Sequence, residues 1–327
     1  IELREAGITA PILLMGATNM PAHIRAIARW RLQPTIGTPK QALVFAETLA
    51  GQMSEPLPVH LKLDTGMARL GTSWDAAVEF VQLVRRLPQL QIASVYSHLA
   101  TADDPDPTVM NRQHQRYQRA IAALQHVGFQ PPLRHIANSA ATLAAPHLHY
   151  DIARVGLAIY GCYPAPHLQA TVPLRPAFQV KARITQVKTV PANSGVSYGY
   201  KFITQRPTRI AVVGIGYADG IPRNLSNWLQ GLVRGQRVRQ LGAVTMDQLM
   251  LDVTAIPDLQ EGEIVTFIGR QGDDAIAPED WANHLDTIVW EILCGFKHRL
   301  PRIVVGSTDP TRSAWSASES PSEPGDR

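Results

Sequence analysis

Cysteine is almost missing: Cys162 and Cys294 are the only two in 327 residues. So few cannot build a disulfide framework, and neither stands in a metal-ligand spacing. A reducing, cytoplasmic setting is the expectation, with no metal. Long apolar runs are missing too. None approaches the roughly 20 residues of a membrane span, so no membrane partner is expected. Charge lacks clustering. The net charge is +4 and the pI about 9.2, yet the densest basic group, Arg234, Arg237 and Arg239 around Gly235-Gln236, reads as a hairpin with a solvated face. A nucleic-acid surface would gather basic and aromatic residues on one side; none is expected here. No Gly-x-Gly-x-x-Gly, P-loop or zinc pattern occurs. An initiator methionine is also missing: Ile1 to Gly7 reads as the last turn and glycine cap of a helix already under way, so the sequence is expected to begin inside a domain.

What is present is alternation. In Val59-His60-Leu61-Lys62-Leu63-Asp64, apolar residues alternate with polar ones, the period of a strand. Thr65-Gly66 breaks the pattern and Arg69 follows between two glycines. Strand-like runs recur at Pro11 to Gly16, Ile92 to His98, Leu133 to Ile136 and Ile152 to Tyr160. The first is continuous and apolar, the mark of a strand buried on both faces. Helical stripes lie between them, at Pro21 to Trp30, from Thr38-Pro39 to Gly51, through Phe80, Val81, Val84 and Leu87, and from Thr108 to Gly128. Thr72 with Asp75 resembles a capping pair for the third.

This order predicts an α/β fold, a parallel β/α barrel over residues 1 to 168. It is short of a complete barrel of about 250 residues, as if its N-terminal units were missing. Past Pro166 the period changes to two, with short β runs separated by glycines. Residues 169 to 305 read as a mostly-β domain holding one late helix, Trp281 to Leu293. Residues 306 to 327 are rich in Ser, Pro, Glu and Asp and read as a disordered tail.

Polar residues gather where strands end. Lys62 and Asp64 are either a surface ion pair or groups at a barrel rim. His98 either caps a loop or faces a ligand. His135, Asn138 and Ser139 open a helix, where Ser139 is either its N-cap or part of an anion site. Arg154 lies in an apolar run, and a buried guanidinium needs a rim, an acid or a bound acceptor. In the β domain, Tyr217 and Asp219 stand among Gly214, Gly216 and Gly220, and Asp247 follows Gly242-Ala243-Val244-Thr245-Met246.

Taken in order, Lys62-Leu63-Asp64-Thr65-Gly66-Met67-Ala68-Arg69-Leu70-Gly71, Tyr96-Ser97-His98, Ala137-Asn138-Ser139, Arg154-Val155-Gly156, Gly216-Tyr217-Ala218-Asp219-Gly220, Met246-Asp247 and Arg299-Leu300-Pro301-Arg302 resemble the motifs of bacterial alanine racemases across residues 1 to 305. The resemblance implies a homodimeric, pyridoxal 5′-phosphate (PLP) dependent isomerase with shared active sites. It would interconvert L- and D-alanine and supply D-alanine for peptidoglycan. It further implies that His98 packs beside the pyridine ring, that Arg154 donates to the ring nitrogen, and that Ser139 with the backbone of Gly156 and Leu157 holds the phosphate. His135 and Asn138 would support them. Lys62 matches the lysine that members often carry as a carbamate, orienting Arg69 toward cofactor and substrate. Tyr217 matches the catalytic base delivered by the other subunit, and Met246 and Asp247 the contacts to the substrate carboxylate.

Two bases are needed, one on each face of the substrate Cα. The second, a Schiff-base lysine, matches no residue here and is expected upstream, so the sequence as given is expected to be inactive. His298 stands where the family usually has tyrosine, and Ala243 where many members have arginine. Those departures keep a broader-specificity PLP amino-acid racemase in view, and the missing lysine a non-catalytic PLP-binding protein. A basic amino-acid decarboxylase would need a glycine run for phosphate and a cysteine near the site, and neither appears in this sequence.

Overall fold

The computed structural model describes residues 1–305, which divide into two compact units between Arg175 and Pro176. Among these residues no helix is long and apolar enough to cross a membrane. The tail expected to be disordered lies outside them.

In the first unit, strands β1 (Leu13–Leu14), β2 (Gln33–Ile36), β3 (Leu57–Asp64), β4 (Thr72–Ser73), β5 (Leu90–Tyr96) and β6 (Arg134–His135) interleave with helices. These are α1 (Glu2–Glu5), α2 (Pro21–Arg29), α3 (Pro39–Leu49), α4 (Ala77–Arg85), α5 (Thr108–His126) and α6 (Ser139–Ala144). The sheet runs β1-β2-β3-β5-β6, every pair parallel, with β4 beside the end of β3. It is a half-barrel of βα units. The period of two in β3 sends Val59, Leu61 and Leu63 into a core shared with Ile24, Phe45, Phe80, Val84, Tyr117 and Leu124. Helix starts follow local chemistry: Thr38 accepts from the Gln41 N–H and Pro39 opens α3, because proline has no N–H to leave unpaired there.

Three expectations for this unit fail. Pro11 to Gly16 forms only the two-residue β1, half-exposed, because it lies at the edge of the sheet. Ile152 to Tyr160 is not a strand. The segment follows β6 through only two backbone bonds, Asp151 N–H to Arg134 and Arg154 N–H to Ala137; Gly156 then turns it into a 3-10 turn over Leu157–Tyr160. Thr72 caps nothing, since its hydroxyl donates to the Gly37 carbonyl and α4 begins after Ala76.

The second unit contains β7 (Val180–Val190), β8 (Gly195–Val196), β9 (Phe202–Ile203), β10 (Thr208–Val213), β11 (Gln230–Val233), β12 (Gln236–Leu241), β13 (Leu249–Asp252), β14 (Ile264–Gln271) and β15 (Asp274–Ile276). The main sheet is antiparallel in the order β11-β12-β13-β10-β7-β14-β15. Because β14 also pairs with β11, six strands close into a ring around Ile184, Ala211, Val233, Leu251, Val265 and Phe267. The expected single late helix is two, α7 (Pro278–His284) and α8 (Val289–Gly295). Asp286 adopts φ 53 between them, a left-handed conformation that stops a helix.

Gly71, two residues past Arg69, has φ +115, and a Cβ there would stand 2.9 Å from both the Asp64 nitrogen and the Lys62 oxygen. Gly71→Ala is therefore expected to cost at least about 1–3 kcal/mol of backbone strain. Urea unfolding measures it; an unchanged midpoint would show that β3 and β4 are not pressed together.

Candidate active site

Parallel pairing puts Lys62 opposite Tyr96 and Tyr96 opposite His135. The face of the sheet away from the helices therefore carries a polar row at the C-terminal ends of its strands, the end where β/α barrels place function. Tyr96 sits in the middle. Its hydroxyl pairs with Thr35 at 2.8 Å, and its ring stacks on His135 with centroids 4.5 Å apart. Lys62 Nζ lies 5.5 Å from the ring centroid and the Arg154 guanidinium 5.1 Å from it.

Lys62 is buried and its pKa falls to about 8. Burial is the main cause, followed by the nearby charges of Arg69 and Arg154, with Asp64 opposing. Asp64 is not its ion-pair partner: its Oδ1 accepts the N–H groups of Gly66, Met67 and Ala68 and holds the turn. Arg69 lies exposed beyond that turn.

Arg154 enters this row from the irregular segment beside β6. Nη1 donates to His135 Nδ1 at 2.7 Å. Nη2 donates to the Ser97 carbonyl at 2.7 Å, and to His98 Nδ1 and the Ile136 carbonyl at 3.1 Å. Nε is buried with no partner. Burial lowers the guanidinium pKa to about 10, which leaves it charged at neutral pH. Burial, reinforced by Arg154, lowers His98 to about 4 and His135 to about 3, so both rings are neutral. The cation is held by carbonyls and neutral imidazoles.

Beside it, Asn138 caps α6, its Oδ1 accepting from the Ala141 N–H at 3.0 Å. Ser139 is thus not the cap. It is buried, and its Oγ accepts the Gly156 N–H at 2.9 Å and the Ala158 N–H at 3.4 Å, which folds the Gly156–Leu157 backbone onto the start of α6.

The second unit builds its own cluster. The Gly216 N–H is held by Asp219 at 2.9 Å, while the Tyr217 and Ala218 N–H groups donate to Thr245 and Met246. A Cβ on Gly216 would stand 2.3 Å from the Thr245 oxygen, so only glycine permits this approach. Tyr217 is left 42% exposed, held by its backbone and free at its ring. Asp247 gives its carboxylate to Arg299 at 2.6 Å, and Arg299 also reaches Asp219 at 3.2 Å.

Lys62, His98, His135, Asn138, Ser139, Arg154, Gly156 and Leu157 thus gather in the first unit, and Tyr217, Met246 and Asp247 in the second. Sequence reasoning gave no role to four groups, although His60 and Arg299 lie in stretches it singled out. Gln113 of α5 ties the rim, accepting from the Ala100 N–H and donating to the His98 carbonyl. Arg299 clamps two acids. His60 and Ser94 lie one strand step below Lys62 and Tyr96 on the same face; the period of two that marked Lys62 also marks His60.

Two family models match the chain, "Alanine racemase, N-terminal domain" over residues 1–164 and "Alanine racemase, C-terminal domain" over 177–304. An alanine racemase from Nostoc sp. is 65% identical over 306 residues, which are 93% of this chain and 79% of that protein. Among solved structures, alanine racemase from Bacillus anthracis with bound L-Ala-P superposes with TM-score 0.86 at 33% identity, covering 92% of this chain and 78% of that one. A histidine racemase from Leuconostoc mesenteroides superposes with TM-score 0.85 at 31% identity, covering 93% and 81%.

Burial holds His60, His98 and His135 neutral. An unfolded histidine titrates near 6.5, and two of these rings only near 4. Between those values the unfolded chain binds protons that the folded chain refuses, so stability must fall as pH drops through that window. Urea midpoints measured from pH 7 down to pH 4 should decline accordingly; a flat profile would mean that the rings are charged or solvated.

Proposed function

Since the chain belongs to the alanine racemase family, we propose that it interconverts L- and D-alanine with pyridoxal 5′-phosphate, supplying D-alanine for peptidoglycan. The observation that carries this reading is Arg154 Nε, a buried donor without an acceptor. A pyridine nitrogen is an acceptor of the kind it lacks, so the residues fit the cofactor.

When bound, the cofactor supplies an electron-withdrawing ring that acidifies the substrate Cα–H. Arg154 offers the N–H of Nε to the ring nitrogen. A guanidinium does not surrender its proton, so Arg154 would give the ring nitrogen a hydrogen bond and no proton, which would restrain the withdrawal. His98 packs beside the ring. Ser139, with the backbone at Gly156 and Leu157, holds the phosphate, its hydroxyl proton still available because Oγ accepts from the backbone. His135 and Asn138 hold Arg154 and α6 in place.

Lys62, with its pKa near 8, has an appreciable neutral fraction at neutral pH. Its amine can attack CO2, forming an N–C bond and releasing one proton. The carbamate that results is an anion that orients Arg69, which faces cofactor and substrate.

Tyr217, from the second copy in a homodimer with shared sites, removes or returns the proton on one face of Cα. Met246 through its backbone and Asp247 beside it contact the substrate carboxylate. The base on the other face is a lysine. In the family this chain resembles that base is the Schiff-base lysine, and neither Lys40 nor Lys62, the two lysines of residues 1 to 175, matches its motif.

The intact gene product should form D-alanine from L-alanine, and Tyr217→Phe should lower kcat by roughly 10²–10⁴-fold without changing cofactor absorbance. Near-normal turnover in both directions would remove Tyr217 from the mechanism. Faster turnover of a larger amino acid, such as histidine, would replace alanine as the substrate. Isotope-labelled bicarbonate should give a carbamate carbon resonance that Lys62→Met abolishes; its persistence in that variant would place the modification elsewhere.

A further inference from the structure

Behind Arg154 runs a continuous line of hydrogen bonds across four strands, buried until it reaches half-buried Gln33. His135 Nε2 meets Ser94 Oγ at 2.9 Å. Ser94 Oγ meets His60 Nδ1 at 2.6 Å, and His60 Nε2 meets Gln33 Oε1 at 2.8 Å. Both histidines and Ser94 are buried, His135 and Ser94 completely.

The direction of every proton in this line is fixed by its first member. Arginine only donates, so the bond to His135 Nδ1 requires a lone pair there. A neutral imidazole then carries its proton on Nε2 and donates it to Ser94. The Ser94 hydroxyl must send its own proton onward, to His60 Nδ1. That puts the His60 proton on Nε2, where the Gln33 amide oxygen accepts it. The reverse direction would leave His135 with no proton on either nitrogen, an imidazolate, whereas a histidine ring carries one proton or two. Protonating either ring would set two donors face to face in a dry interior, and burial keeps both rings neutral.

We infer that Ser94 and His60 are positioning residues of the reaction, acting through His135 to fix how Arg154 presents Nε to the ring nitrogen. The inference rests on the role given above to Arg154. If Ser94 loses its hydroxyl, the Nε2 proton of His135 is buried without an acceptor. The ring then gains by moving its proton to Nδ1, where it opposes Arg154 Nη1. The guanidinium must shift, and Nε shifts with it. Gln33 ends the line by accepting from His60, so that His60 keeps a lone pair toward Ser94.

The test begins with the full-length apoprotein labelled with nitrogen-15 in its histidine rings. NMR should show His60 and His135 neutral and protonated at Nε2 at neutral pH. In Ser94→Ala the His135 proton should move toward Nδ1. In the holoenzyme the same variant should lower kcat about tenfold, the scale of a misplaced catalytic group, with KM for alanine within about twofold and the cofactor absorbance maximum displaced. Ser94→Thr, and His60→Asn, which keeps an acceptor for the hydroxyl, should recover most of kcat where His60→Leu does not. An Nδ1 proton on His135 in the unaltered protein overturns the inference even if no variant folds, as does an unchanged tautomer in Ser94→Ala. If the tautomer moves but absorbance and kcat do not, the line of protons stands, while its tie to catalysis and the assignment of Arg154 to the ring nitrogen both fall.

Discussion

A guanidinium buried without a carboxylate is the constraint on which the first unit turns. Removing such a charge from water costs several kcal/mol, and a buried ion pair is the usual remedy. Here the remedy is a set of dipoles: two backbone carbonyls and two imidazoles around Arg154. An anion in that place would neutralise the charge. Dipoles satisfy the N–H groups and leave the charge in force, so the field of Arg154 reaches Lys62 and His98 and lowers both their pKa values. The neutrality of the histidines is therefore a requirement of the site and a product of the same burial.

That burial follows from register. One face of the half-barrel packs Val59, Leu61, Leu63 and Val95 against helices. The other would be apolar in an ordinary barrel core, but here it is polar: Gln33, Thr35, His60, Lys62, Ser94, Tyr96 and His135 are joined by hydrogen bonds and ring contacts. Each strand contributes alternate residues, and parallel pairing aligns them. A slip of one residue in β3 would exchange the two faces and destroy core and site together. Structure and chemistry are under the same control.

Much of this was legible in the sequence, and the limits are physical. The alternation of β3 announced a strand with a charged face, and glycines around Tyr217 announced a backbone-held loop. The half-barrel and the β domain followed from the change of period. Misreadings arose where local pattern does not report on partners. The apolar run at Pro11 to Gly16 resembles a central strand, but its place at the edge is decided by neighbours. The run around Arg154 lacks the ladder it resembles because Gly156 turns the chain away. Asp286 carries no obvious break signal between α7 and α8. The His135–Ser94–His60 line was invisible for a different reason: three strands must be set side by side before its members meet.

In the second unit, the ring closed by β14 and β11 leaves as edges only the three-residue β15 and the overhanging ends of longer strands such as β7. A closed ring has no row of unpaired backbone groups to extend. In the homodimer proposed above, a second copy of the chain would meet this unit through side chains and loops, not by continuing its sheet. Recognition of that kind is specified residue by residue, so in that homodimer the loops that build the Tyr217 cluster would be free to change with the surface they meet, while the strands beneath them stay the same.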